Sequence, residues 1–255
     1  MPLAKVARAI ALGLAVTLLA ASSASGEGAL VEVDNIVLRA DGGFKPQTLP
    51  RRRFAPIEFQ GHFDISARHG APLSPLQQAL IDFDRDGRIS VAGLPTCAPE
   101  AIAQEGTAEA RRTCGGAIVG TGHVAAAISM LGASVQTTAL LTIFNGPRLA
   151  TGPSVVFHAR TLIPLPETYA ILVPIERRRG GFRYRARIEL PPLAGGLGAL
   201  THLDAKIGRR YRAGGRLRSY VSARCSDNLL QTHGDFTFAD GTVISGVVEK
   251  FCNDK

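Results

Sequence analysis

IEFQGHFDIS, residues 57–66, alternates without a break: Ile57, Phe59, Gly61, Phe63 and Ile65 on one side, Glu58, Gln60, His62, Asp64 and Ser66 on the other. An extended chain points successive side chains to opposite faces, so the stretch predicts a strand with one dry and one wet face. FRYRARIEL, residues 182–190, has the same period, with Phe182, Tyr184, Ala186, Ile188 and Leu190 inward and Arg183, Arg185, Arg187 and Glu189 outward. A sheet wet on one side favours antiparallel pairing. Further strands are predicted over 30–39, 79–84, 88–92, 117–129, 136–144, 154–163, 169–175, 199–210, 216–224, 235–239 and 242–251. Turn residues join several of them into hairpins: Arg85-Asp86-Gly87, Asn145-Gly146-Pro147, Arg179-Gly180-Gly181, Ala213-Gly214-Gly215 and Ala239-Asp240-Gly241. Between Cys97 and Cys114 the signals turn helical, with Pro99 suited to a first turn, Gly106 as a stop and Thr107 capping a second short turn. No strand–helix–strand alternation occurs. The predicted fold is all-β: an antiparallel two-layer sandwich or flattened barrel with one short helical excursion between Cys97 and Cys114.

Residues 1–26 read as a secretory signal peptide: Lys5 and Arg8, an apolar run from Ile10 to Leu19, then small residues from Ala20 to Gly26. That run is about half the roughly 20 residues a spanning helix needs, and no later segment is apolar for long enough, so no transmembrane segment is expected. Cleavage after Ala24 and cleavage after Gly26 fit equally well. The remainder, 27–255, is expected to form a single disulfide-stapled β domain, secreted or associated with the cell envelope. With 45% hydrophobic and 20% charged residues the chain has enough apolar surface for a core, which excludes disorder. The formal charge of +8 includes Lys5 and Arg8 and falls to +6 without them.

Four cysteines in an exported chain argue for two disulfides. Three connectivities are open. The pairing Cys97–Cys114 with Cys225–Cys252 is favoured because each bridge closes a short self-contained segment, and each closure stabilises by about 3 kcal/mol in the chain-entropy picture. Zinc is disfavoured, since no cysteine has a second Cys or a His within a few residues.

The sharpest motif is LIDFDRDG, residues 80–87. Asp82, Asp84, Asp86 and Gly87 match positions 1, 3, 5 and 6 of a calcium loop, but position 12, which needs a bidentate Glu, is Gly93. The flanking residues have strand spacing, so a β-hairpin turning at Asp86-Gly87 is the simpler reading; a calcium-stabilised scaffold is the alternative, and no other cofactor is expected. Nucleophile motifs, phosphate loops and zinc-protease motifs are missing, so no catalytic residue is assigned. A secreted hydrolase remains as an alternative, its site assembled across strands from histidines (His62, His69, His123, His158, His202, His233) or from carboxylates among Asp82, Asp84, Glu189, Asp204 and Asp235. With no Trp and 6% aromatics the chain lacks stacking platforms for sugars or bases, and no nucleic-acid partner is expected.

Arginine is the remaining feature: Arg51 to Arg53, Arg177 to Arg179, the row Arg183, Arg185 and Arg187, and Arg209, Arg210 and Arg212 with Arg216 and Arg218. On adjacent strands these would make a cationic strip able to hold an anionic envelope polymer or lipid headgroups. The competing reading is a solvated edge that discourages strand-to-strand aggregation.

Gly93 to Cys97 (GLPTC) and Cys114 to Gly122 (CGGAIVGTG), with the Cys225…Cys252 segment, resemble a group of exported proteins of high-GC Gram-positive bacteria carrying GLPxC and CxxAxVGxG elements. The similarity spans roughly residues 36–252. It implies a secreted, disulfide-stapled β protein whose DxDxDG run belongs to the scaffold, and it assigns no catalytic or binding residue. The expected function is a non-enzymatic binding or structural one at the cell envelope or outside the cell.

Overall fold

The computed structural model describes residues 28–254 apart from 69, 70 and 131. The signal peptide expected over 1–26 and His69 lie outside the described residues. Twelve strands make one antiparallel sheet: β1 (Ala29–Val33), β2 (Ile36–Lys45), β3 (Glu58–Ala67), β4 (Leu76–Asp84), β5 (Ile118–Met130), β6 (Ala133–Asn145), β7 (Ser154–Thr161), β8 (Glu167–Arg177), β9 (Phe182–Glu189), β10 (Gly198–Ile207), β11 (Leu229–Phe238) and β12 (Val243–Phe251). Their spatial order is β1-β2-β3-β10-β5-β6-β7-β8-β9-β4-β11-β12. The two edges come round to meet: a Cβ on Gly246 of β12 would sit 3.2 Å from the Cβ of Ala29 in β1. Lys250 of β12 also reaches Asp41 of β2, Nζ to Oδ1, at 2.7 Å. The sheet is a nearly closed barrel, the second of the two architectures expected, and near-closure leaves little free strand edge.

The predicted faces hold for IEFQGHFDIS, where Phe63 and Ile65 are buried inside while His62 and Asp64 lie outside. Gly42, Gly61, Ala205 and Gly122 stand opposite one another on β2, β3, β10 and β5. The strands approach so tightly here that a Cβ on Gly122 would lie 1.9 Å from the carbonyl oxygen of Asp204, so only glycine fits this bend. Three local expectations are corrected. A bulge between Phe182 and Tyr184 turns Phe182 outward, where its ring lies 6.1 Å from that of His233. The run 30–39 divides into β1 and β2 because Asp34, at φ 50°, makes a tight turn with Asn35. Residues 85–87 turn as expected but make no hairpin: Gly87–Ile89 leaves the barrel and pairs with Val221–Ala223, while β4 inserts between β9 and β11.

The two ends of the barrel differ. At the lower end the short sheet of Ala55–Pro56, Val221–Ala223 and Gly87–Ile89 plugs the opening. Tyr220 and Leu94 are buried there against Ile143, Val173, Ile175 and Tyr184. Cys225–Cys252 pins this region beside Phe44 and Leu49. At the upper end Phe63 and Phe236 meet edge-to-face at 5.4 Å and, with Leu38, Ile65, Phe238 and Ile244, fill only one side of the interior.

The second disulfide, Cys97–Cys114, clips a cap to the outside of the barrel. The cap holds a 3-10 turn, Pro99–Ala101, and a short helix α1 (Thr107–Thr113), with Gly106 rather than Thr107 in the capping position. Its Ile102 and Ala110 bury Phe144, Val156, Ala170 and Leu172, the outward residues of β6, β7 and β8. Both disulfides are those favoured from the sequence, and they fit an oxidising compartment. No described helix is long and apolar enough to cross a membrane. Elsewhere the outer face carries rows such as His202, Asp204 and Lys206, the reverse of the apolar-out alternation of a transmembrane barrel.

Candidate functional site

The three aspartates of the calcium-like run are committed to different partners. Asp82, on the outer face of β4 and almost wholly buried, accepts both arms of Arg185, Nε to Oδ1 at 2.8 Å and Nη2 to Oδ2 at 2.5 Å. Asp84 accepts the backbone N–H of Asp86 at 2.8 Å and that of Gln231 at 3.0 Å. Burial raises its pKa above the usual carboxylate value, and those two bonds offset only part of the rise. Asp86, with no exposed surface, accepts Arg224 Nε at 2.7 Å and the N–H of Ser226 at 2.9 Å. Burial pushes its carboxyl up too, but the bonds from Ser226 and Arg224 outweigh it and leave the pKa lowered. Among the described residues no group of three or more His, Cys, Asp or Glu side chains is placed to hold a metal ion.

The arginines do not converge into one strip. Arg185 is taken by Asp82, and Arg187 Nε bonds Glu176 Oε1 at 3.2 Å. Arg183 Nε bonds the carbonyl of Arg85 at 2.7 Å while its guanidinium lies over Phe54. Arg209 ties the end of β10 to the base of the cap through the carbonyl of Ile118, at 2.6 Å. Arg210 and Arg212 stand exposed on a separate ribbon, Arg210–Ala213 paired with Arg216–Ser219, beside the plugged end.

Four histidines have carboxylate neighbours on the outer face. His123 Nδ1 lies 3.0 Å from Asp204; His202 bridges Asp64 at 2.7 Å and Asp204 at 3.4 Å. Burial opposes the charged form of His202, but its two carboxylate partners win and its pKa is raised. His233 lies 3.8 Å from Asp82, and His62 faces Asp41 and Asp204 on neighbouring strands. No Ser or Thr hydroxyl among the described residues bonds any histidine, so none of these pairs forms the nucleophile–base contact that acyl transfer needs. His158 is different, buried under the cap with Nε2 donating to the carbonyl of Glu105 at 3.1 Å.

The chemically distinctive space is inside. A cavity of about 640 Å³ occupies the unfilled side of the upper barrel. Small inward residues create it: Ala126 of β5, Ala139 of β6 and Ala159 of β7 stand where larger side chains would close the interior. Larger apolar groups, among them Leu141, Phe157, Ile171 and Leu200, complete the wall. A second space of about 250 Å³ adjoins it toward the plug, and Phe157, Ile188 and Leu203 line both. Pro164 to Glu167 and Leu193 to Gly195 with Leu197 line the mouth of the larger cavity, where Leu165 and Leu197 are more than half exposed.

Polar groups gather at one place on this wall. Tyr169, the third residue of β8, donates its hydroxyl to Glu167 Oε2 and accepts the N–H of Ala194 at 3.1 Å. Burial, with Glu167 beside it, pushes the Tyr169 hydroxyl up to about 12, so it keeps its proton at neutral pH. Water that enters through the mouth gains little on an apolar wall, because it needs two to four polar partners.

Ile188 was expected to face inward, but Glu167, Tyr169 and the three alanines were not singled out from the sequence. Glu167 and Tyr169 lie at the start of a predicted strand, and the period of Tyr169, Ile171 and Val173 places Tyr169 inward, the one available signal. Alanines give no comparable sign, since at an inward position they read equally as packing. Compared with family models, curated proteins and solved structures, the chain matches none, so the cavity and its wall carry the functional reading alone.

Proposed function

We propose that this is an exported, non-enzymatic binding protein that holds one apolar small molecule inside its barrel. The observation that carries the reading is the apolar cavity of about 640 Å³, lined toward solvent by the exposed side chains of Leu165 and Leu197. Ligand pockets are typically concave, mostly apolar and of roughly 300–1,000 Å³, with a few placed polar groups that orient the guest. The plugged lower end, the two disulfides and the cap hold the wall rigid, which lowers the ordering cost of binding. The expectation of a non-enzymatic binding role is kept, while the ligand site moves from the arginines to the interior. The signal-like segment at residues 1–26 and the disulfides support export.

The test is titration of the oxidised protein, residues 27–255, with the neutral fluorescent probe N-phenyl-1-naphthylamine. Saturable enhancement at one probe per chain is expected. Fluorescence that stays at the level of the probe in buffer would refute an interior binding site.

A further inference from the structure

The charge on the cavity wall is of one sign. No Lys, Arg or His among the described residues lines it. Arg160 of β7 points to the outer face, where it donates to Thr168 Oγ1 at 3.3 Å. The single hydroxyl proton of Tyr169 is taken by Glu167, and the N–H of Ala194 is taken by Tyr169, so neither donor is left for a guest. Thr161 directs its hydroxyl to the carbonyl of Glu167 at 3.5 Å. Thr137, also on the wall, adds one uncharged hydroxyl that can give or accept, and the one charged group among the described lining residues is Glu167. The second oxygen of the Glu167 carboxylate has no hydrogen-bond partner among the described residues, and the Tyr169 oxygen keeps a lone pair.

We infer that the guest ends in a hydrogen-bond donor, a hydroxyl or an amine, which the Glu167 carboxylate receives at the mouth while the apolar body fills the cavity, and that fatty-acid anions are turned away. The inference rests on the proposal that the cavity is a ligand site, and it adds the class of ligand. A carboxylate placed beside Glu167 would meet a like charge across a low-dielectric wall with no cation to compensate it. An alcohol loses no charge hydration on binding and gains an acceptor. An alkylammonium gains a charge-assisted hydrogen bond.

Three probes of equal chain length separate these cases: dodecan-1-ol, dodecylamine and dodecanoate, each competed against N-phenyl-1-naphthylamine on the oxidised chain at about pH 8, where the acid is ionised. The alcohol and the amine are expected to displace the probe at concentrations at least about tenfold below dodecanoate. In Glu167→Gln the gap should narrow, through weaker amine binding and stronger dodecanoate binding. Dodecanoate competing as well as the other two, or a gap unchanged in Glu167→Gln, overturns the inference and leaves the carrier reading standing. A protein that binds neither the probe nor any of the three overturns both.

Discussion

Asp82 lies in the middle of a run that looks made for calcium, yet its carboxylate is closed by the fork of Arg185, whose side chain is itself 17% exposed. Removing one partner of a mostly buried pair leaves the other charge uncompensated, which costs about 3 kcal/mol. Asp82→Ala should therefore lower the unfolding midpoint by the same amount with and without millimolar calcium. A calcium-dependent stabilisation present in the natural chain and lost in the variant would restore the metal reading. The motif was legible in the sequence, and so was its failure at Gly93. The partners were not, because Arg185 and Arg224 are more than a hundred residues away and meet the aspartates only when β4 inserts beside β9 and Val221–Ala223 pairs with Gly87–Ile89. The same limit hid Glu167 and Tyr169, whose importance comes from what the barrel encloses around them.

At the scale of elements, the cap between Cys97 and Cys114 makes a pH-dependent contribution through His158. Burial holds its imidazole below the usual histidine value, while Glu105 and the Ile102 carbonyl act the other way and Arg160 adds to the lowering. Nε2 donates to Glu105, and Nδ1 is buried without a hydrogen bond in the folded protein. The unfolded chain therefore binds a proton more readily than the folded one, and stability present above about pH 6.5 is lost as the pH falls below it. His202, with its raised pKa, works in the opposite sense: its contribution is present below that pH and lost above it, though water screens it on the outer face. Melting curves between about pH 8 and pH 5 should show a shallower acid loss in His158→Gln than in the natural chain. Equal slopes would show that His158 does not carry the effect. The strands, the cap and both disulfides were legible because period, turn residues and short loop closures are local signals. The division at Asp34-Asn35 was missed because a non-glycine turn of two residues barely interrupts the apolar alternation.

At the scale of the whole molecule, a barrel was one of two expected architectures, but the strand order could not be read, since β10 sits between β3 and β5 and β4 between β9 and β11. Period 2 assigns each residue a face but says nothing of which strand lies beside which. The cavity follows from that arrangement: aromatic side chains crowd one side and the plugged end, while Ala126, Ala139 and Ala159 leave the other side open. The decisive measurement is the N-phenyl-1-naphthylamine titration of the natural chain beside Ala126→Phe/Ala159→Phe, which puts two aromatic rings into the space. The natural chain should saturate, whereas the filled variant, folded and stabilised by roughly 1 kcal/mol from the added burial, should bind at least about tenfold more weakly. Equal binding by both folded proteins would contradict a ligand held inside the barrel.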